Sequence, residues 1–384
     1  MVHWLARLTI ILALLGAATT RAAEPIRVTA VLPFSGGVEL FGQQAKLGLD
    51  LAAADINATG GILGRPLQVT YRDDGTRPNI AAEAARKAIE EDQAFAVVGP
   101  ITSANLDAIV PLLAASRIPL LYATNYEGGI CNRYMFAFSS VPNQELDALL
   151  PYMTRTFGRD YFLLGADRVW PHRMFDAAAP VLQRIGATVV DTQYTLGSAP
   201  EIAALLDKVA ARKPQVLLYA LKGDGSQFMP LAAQRGVLKS TAVAFLGLTE
   251  TDLAAFNPPV DDLYAAVPFV ATGADPKVRA FVARARALAP AGTPISSYVE
   301  THYNSLIALK AAIEKAGKVD REAAIDALEG LRIDTPGGAL TMGRDHHATL
   351  DMVLAKSKGA DLVPVETLGA IAPQSGCMPG GLAR

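Results

Sequence analysis

Apolar positions along this chain follow two alternating rhythms. Residues 26–32 read as a strand. Ala45, Leu49, Ala52 and Ile56 then fall four, three and four apart, which is one face of a helix. The stretch 57–61 breaks that helix, and Gly60-Gly61 is free to take positive φ. Leu67, Val69 and Tyr71 alternate with Gln68 and Thr70, which predicts a second strand. A helix over 81–91, a doubly covered strand over 95–98, a helix over 103–115 and a strand over 120–122 follow.

The alternation restarts after Pro142. A helix carrying Leu146, Leu150, Met153 and Phe157 precedes strands over 161–165, 188–194, 215–220 and 242–246, with helices between them. Repeated strand–helix–strand units predict parallel sheets covered by helices on both faces. Two such blocks read as two doubly wound α/β domains. The last third differs, with helices over 276–288, 297–316 and 321–331 and short strands over 338–342, 350–358 and 362–368. It is too small for a third domain and is expected to complete the first two by crossing between them. The lobes then comprise 24–142 with 268–343, and 143–267 with 344–378.

The first residues add a destination. Arg7 precedes an apolar and small run over 8–18, followed by Ala22-Ala23, the three parts of a cleavable export signal over 1–23. The run is shorter than the roughly 20 residues a membrane span needs. The protein is therefore expected to be exported to the periplasm, with no direct membrane insertion. Lys and Arg number 35 against 37 Asp and Glu, and no basic run exceeds two residues, so nucleic acid is not an expected partner. Cys131 and Cys377 are the only cysteines, and in an oxidising compartment the pair is expected to form a disulfide tying the C-terminal tail to the first lobe.

The chain contains no phosphate loop, no G-x-G-x-x-G, no G-x-S-x-G and no H-E-x-x-H, and no cofactor or catalytic residue is expected. His346-His347 are adjacent, and neighbours on a strand point to opposite faces, so they are read as packing residues rather than metal ligands. His172 and His302 are read the same way, and Asp73-Asp74 before Gly75 as a turn.

Ligands of open α/β sheets bind outside the carboxyl ends of the strands. That rule selects Phe41, Thr102-Ser103 and Tyr122 to Thr124 from the first block. From the second it selects Arg168, Trp170, Lys222 and Glu250. Ser103 opens a helix whose free N–H groups suit an anionic or carbonyl oxygen, though it also serves to cap that helix. Phe41, Tyr122 and Trp170 supply flat apolar walls. Glu250 offers an acceptor for an amine or amide.

The segment 34–42, the Ile56-Asn57-Ala58-Thr59-Gly60-Gly61-Ile62-Leu63-Gly64 stretch, and their order along 26–368 resemble the Leu/Ile/Val-binding family of periplasmic proteins. Tyr126 to Gly129 with Cys131, Pro142-Asn143-Gln144 and Thr335 to Gly338 resemble its amide- and urea-binding branch. The resemblance implies a type I periplasmic-binding-protein fold with a three-crossover hinge. It also implies ligand capture by lobe closure, without chemistry, for an ABC transporter's membrane permease. Phe41, Ser103 and Thr124 would line the first lobe's wall, Trp170 would close from the second, and Glu250 would meet an amine or amide. Arg168 replaces an aromatic residue of the amide-binding branch. With Lys222 it shifts the expected ligand, a small polar amino acid, amide or carboxylate, toward a carboxylate. A ligand sensor feeding a receptor is the alternative function.

Overall fold

The computed structural model describes residues 23–377; the expected export signal lies outside the described residues but for its last position. The first block runs β1 (Ile26–Leu32), α1 (Glu39–Ala58), β2 (Leu67–Asp73), α2 (Pro78–Glu90), β3 (Ala96–Val98), α3 (Ser103–Ala115), β4 (Leu120–Tyr122) and β5 (Met135–Ala137). The second runs α4 (Pro142–Phe157), β6 (Asp160–Ala166), α5 (Val169–Arg184), β7 (Thr188–Thr195), α6 (Ala199–Arg212) and β8 (Val216–Ala220). It continues through α7 (Phe228–Gln234), β9 (Ala242–Phe245), α8 (Glu250–Ala254) and β10 (Leu263–Val267). The remainder comprises α9 (Pro276–Leu288), α10 (Ser297–Ala316), α11 (Arg321–Leu328), β11 (Arg332–Thr335), β12 (Gly338–Met342), β13 (Ala348–Lys358) and β14 (Asp361–Ile371).

Two sheets result. The first is parallel throughout, in the order β2-β1-β3-β4-β5. The second runs β11-β12-β13-β10-β9-β8-β6-β7, with β14 also on β13. Its β10-to-β7 half is parallel, and the strands beyond β10 join antiparallel. This is the expected α/β class. Burial explains the strand compositions: β3, β4, β8 and β10 are buried along their whole length, as strands covered by helices on both faces must be.

The last third divides between the lobes. Helix α10 lies against α1 so closely that a Cβ on Gly48 would stand 2.1 Å from the Val299 carbonyl oxygen, so only glycine fits there. Leu51 of α1 packs with Phe281 of α9 and Val299 of α10, and Arg321 of α11 donates to the Ala94 carbonyl oxygen at 2.7 Å. These helices belong to the first lobe. The sequence reading placed everything to residue 343 there; instead β11 and β12 extend the second sheet. Their antiparallel pairing to β13 is a non-local choice that periodicity does not encode. Strands β5 and β10 also escaped the pattern, being short apolar runs beside loops, as did β11, whose four residues carry a single apolar side chain.

Buried carboxyls fasten the segments that pass between lobes. Glu250 accepts from the Ala271 N–H at 3.1 Å, just after the crossing that leaves β10. Glu300 accepts from Asn304 at 2.6 Å and from the Gly337 N–H at 3.2 Å. Burial pushes both carboxyls up to about 7. Before β13, His346 stacks on Phe136 at 3.9 Å, and His347 stacks on Tyr126 and bonds its hydroxyl. Both imidazoles pack the joint between β5 and the second lobe, where Ala137 donates to the His346 carbonyl oxygen at 2.8 Å.

Beyond β14 the chain returns to the first lobe. Asn143 brackets it through Ala372 and Gln374, and Gly129 donates to the Ser375 carbonyl oxygen at 2.8 Å. Cys131 and Cys377 form the expected disulfide, with Cα atoms 5.4 Å apart across 246 residues of sequence. Closing so long a loop contributes about 5 kcal/mol in the chain-entropy model. The paired variant Cys131→Ser/Cys377→Ser is accordingly expected to unfold at lower denaturant concentration than the oxidised protein. An unchanged midpoint would show that the hydrogen bonds of the tail suffice without the bridge.

Glu300 predicts a pH effect of definite sign. A carboxyl raised above its unfolded value stabilises fully below about 4.5, and that contribution is lost as pH rises through about 7. Buried histidines such as His302, pushed down to about 4, titrate in the opposite sense, so the difference between variant and wild type isolates the acid. The stability of Glu300→Gln relative to wild type should therefore rise between pH 5 and 8, by at most about 1.4 kcal/mol per pH unit. A difference independent of pH, in denaturant titrations, would refute the assignment.

Candidate ligand-binding cleft

The carboxyl ends of both sheets face each other across a cleft. Its cavity of about 350 Å³ falls within the range for small-molecule sites. The first lobe supplies Val38 and Phe41 at the start of α1, Thr76 and Pro78 before α2, and Ile101 to Ala104 at the start of α3. It also supplies Thr124-Asn125 after β4 and Tyr298 of α10. The second supplies Ala166 to Pro171 around the start of α5, with Ala220 and Lys222 after β8. Six of the eight sequence-selected residues, Phe41, Ser103, Thr124, Arg168, Trp170 and Lys222, are thus brought together.

Local chemistry fixes these positions. A Cβ on Gly42 would stand 1.9 Å from the Pro33 carbonyl oxygen, so glycine lets α1 start tightly against the loop and seats Phe41 in the wall. The Phe41 ring packs on Tyr298 with centroids 5.2 Å apart. At the start of α3 the first amides have no partner within the helix, the ordinary condition of a helix N-terminus. Ser103 does not cap it: its hydroxyl donates to Glu127 at 2.8 Å. Thr124 donates to the Pro100 carbonyl oxygen at 3.4 Å, and Asn125 donates to buried Glu145 at 3.1 Å.

Lys222 lines the cavity but is not a free cation. It donates to the Gly247 carbonyl oxygen and pairs with Asp252 at 3.0 Å. Its ammonium lies 5.0 Å from the Phe41 ring centroid and 5.9 Å from that of Tyr298, so it joins the two lobes by cation–π attraction. Arg168, at the N-cap of α5, is exposed, and no side-chain hydrogen bond or ion pair engages it among the described residues. Neighbouring Asp167 accepts from or donates to nothing but His172 at 2.9 Å among the described side chains, and the His172 ring stacks on Tyr194 at 3.7 Å.

Two expected residues stand behind the cleft. Tyr122 is fully buried and donates to the Ile101 carbonyl oxygen at 3.2 Å, bracing the loop that leads into α3. As the last residue of β4 its side chain turns to the outer face, where it meets Tyr126 at 5.3 Å. Glu250 is buried at the start of α8 and bonds the crossing after β10 through Ala271, while Asp252, two residues on, takes the charged role by holding Lys222. Both acids sit in the first turn of α8 behind the cap Thr249, and sequence alone does not say which one faces the lysine. Tyr298 and Asn125 escaped selection. Asn125 lay inside the segment after β4, whereas Tyr298 opens a helix from a distant part of the chain and carries no local signal.

Residues 25–361 match the model of the periplasmic binding protein family. A Leu/Ile/Val-binding protein of Rhizobium johnstonii is 25% identical over 328 residues, 84% of this chain and 88% of that protein. The solved structure of an R. palustris ABC-transporter solute-binding protein in complex with benzoate superposes with a TM-score of 0.82 at 19% identity. It covers 91% of this chain and 98% of the other. A leucine-binding protein of Thermotoga maritima superposes at 0.77 and 17% identity, covering 91% and 99%. Among the described residues no helix is long and apolar enough to cross a membrane. With two facing sheets, a closed cleft and a family match over most of its length, this chain belongs to the periplasmic binding proteins, a family that binds ligands rather than transforming them.

Proposed function

We propose that the protein captures a small organic carboxylate with a flat, apolar body and delivers it to the membrane permease of an ABC transporter. The observation that carries this reading is the cleft's division of labour. Phe41 and Tyr298 pack together on the first-lobe side of the cavity, and Trp170 lines it from the second lobe. Arg168 is the cavity's unengaged cation, and the start of α3 offers amide donors across from it. Guanidinium and helix N-terminus both favour a carboxylate over a neutral amide. Benzoate in an R. palustris relative of the same fold supports an aromatic acid, and the amino-acid-binding relatives support a carboxylate. Lys222, neutralised by Asp252, adds no net charge to this account.

A thermal-shift panel of benzoate, hydroxybenzoates, leucine, urea and short amides tests the class, because a ligand raises apparent stability with the logarithm of its excess over Kd. The aromatic acids are expected to raise Tm most. Stabilisation by urea or amides alone would return the protein to the amide-binding branch that its motifs resemble.

Against the best acid, calorimetry of two variants separates the roles. Arg168→Ala is expected to weaken binding about tenfold, the loss of one charge-assisted bond at a half-open rim. Trp170→Ala is expected to cost more, since it removes the aromatic surface that the second lobe contributes to the cavity. An unchanged affinity in Arg168→Ala would rule out the carboxylate assignment.

A further inference from the structure

Beside the ligand wall lies a cluster that the cleft itself does not use. Arg173, on the first turns of α5 in the second lobe, reaches across to the first lobe. It donates to Glu127 at 2.5 Å and to Asp107 of α3 at 3.0 Å. Glu127 is the anchor: its side chain is 5% exposed, and its other oxygen accepts from Ser103, itself a residue of the cleft wall. Asp107 is much more open, with 41% of its side chain exposed.

We propose that Glu127 and Arg173 form an interlobe clamp that holds the closed state and sets how long ligand is retained, with Glu127 coupling the clamp to the cleft through Ser103. The physical case has two parts. In the open form Glu127 would face the start of α3 with its charge unopposed by Arg173, next to the place where an anionic ligand is expected. Closure brings the guanidinium to it and removes that repulsion. At the same time, the Ser103 hydroxyl spends its proton on Glu127, so toward the cleft it acts only as an acceptor. Glu127 is thus a positioning residue for Ser103 as well as half of the clamp. Loop 125–131, which carries Glu127, is fixed in turn by the Cys131–Cys377 bridge and by the Gly129–Ser375 hydrogen bond.

The clamp predicts a closed population even without ligand, so its test does not depend on the ligand's identity. Distances between nitroxide labels, one on each lobe, are measured by pulsed electron resonance in the full mature protein with nothing added. Wild type should show a closed population that shrinks at about 1 M salt, where the Debye length is about 3 Å. Arg173→Met should reduce it about tenfold, as expected for a lost bond to a buried charged group. Asp107→Asn should reduce it less. The exchanged pair Glu127→Arg/Arg173→Glu, made together with Asp107→Asn so that the new carboxylate meets no like charge, should restore it to the level of Asp107→Asn alone, an outcome that general damage to the fold cannot produce, and circular dichroism verifies folding of every variant. A wild type with no closed population, or one insensitive to Arg173→Met, overturns the clamp. With benzoate as probe, Arg173→Met should raise the dissociation rate more than it lowers the association rate. A failure of benzoate to bind would count against the proposed ligand class and leave the label distances to decide the clamp.

Discussion

The architecture turns on the approach of α10 to α1 at Gly48. That contact returns a distant part of the chain to the first lobe after it has built most of the second. It places Tyr298 in the cleft wall against Phe41 and positions Glu300 to hold the β11–β12 turn at Gly337. A side chain at residue 48 would push α10 outward and move both at once. The cleft is therefore not a property of either sheet alone; it exists because the return helices lock the first lobe while the strands after them enlarge the second.

Charge in the cleft is distributed by pairing rather than by number. Lys222 is tied to Asp252, Arg173 to Glu127 and Asp107, and Asp167 to His172. What remains on the ligand side is the exposed guanidinium of Arg168. A charge whose partner is fixed by the fold cannot also neutralise a ligand without the partner being left desolvated, which is costly. Among the described residues that line the cavity, Lys222 is a cation with a partner built into the fold and Arg168 is one without.

Much of this was legible in the sequence, for identifiable reasons. Helices such as α1 and α4 announce themselves because burial of one face imposes a period. The strand-end rule found Phe41, Ser103, Thr124, Arg168, Trp170 and Lys222 because parallel sheets leave only one end for ligands. It misjudged Tyr122 by the pleat, since the last residue of β4 turns away from the cleft. It chose Glu250 over Asp252 because a helix's first turn presents both acids and only tertiary packing selects one. The reach of β11 and β12 into the second sheet, and the ion pairs of Arg173 across the cleft, depend on encounters between segments far apart in sequence. Local pattern does not carry that information.

The bridge between Cys131 and Cys377 also orders events in time. During synthesis Cys131 emerges 246 residues ahead of its partner, after β4 and before any of the second lobe exists. The bond therefore seals a chain that has already made all its passages between the lobes. Once formed, it joins loop 125–131 to the far end of every crossing, closing residues 131–377 into a covalent ring. A ring of this kind outlasts denaturation, so an oxidised chain that unfolds keeps its lobe-crossing segments tied into one closed loop.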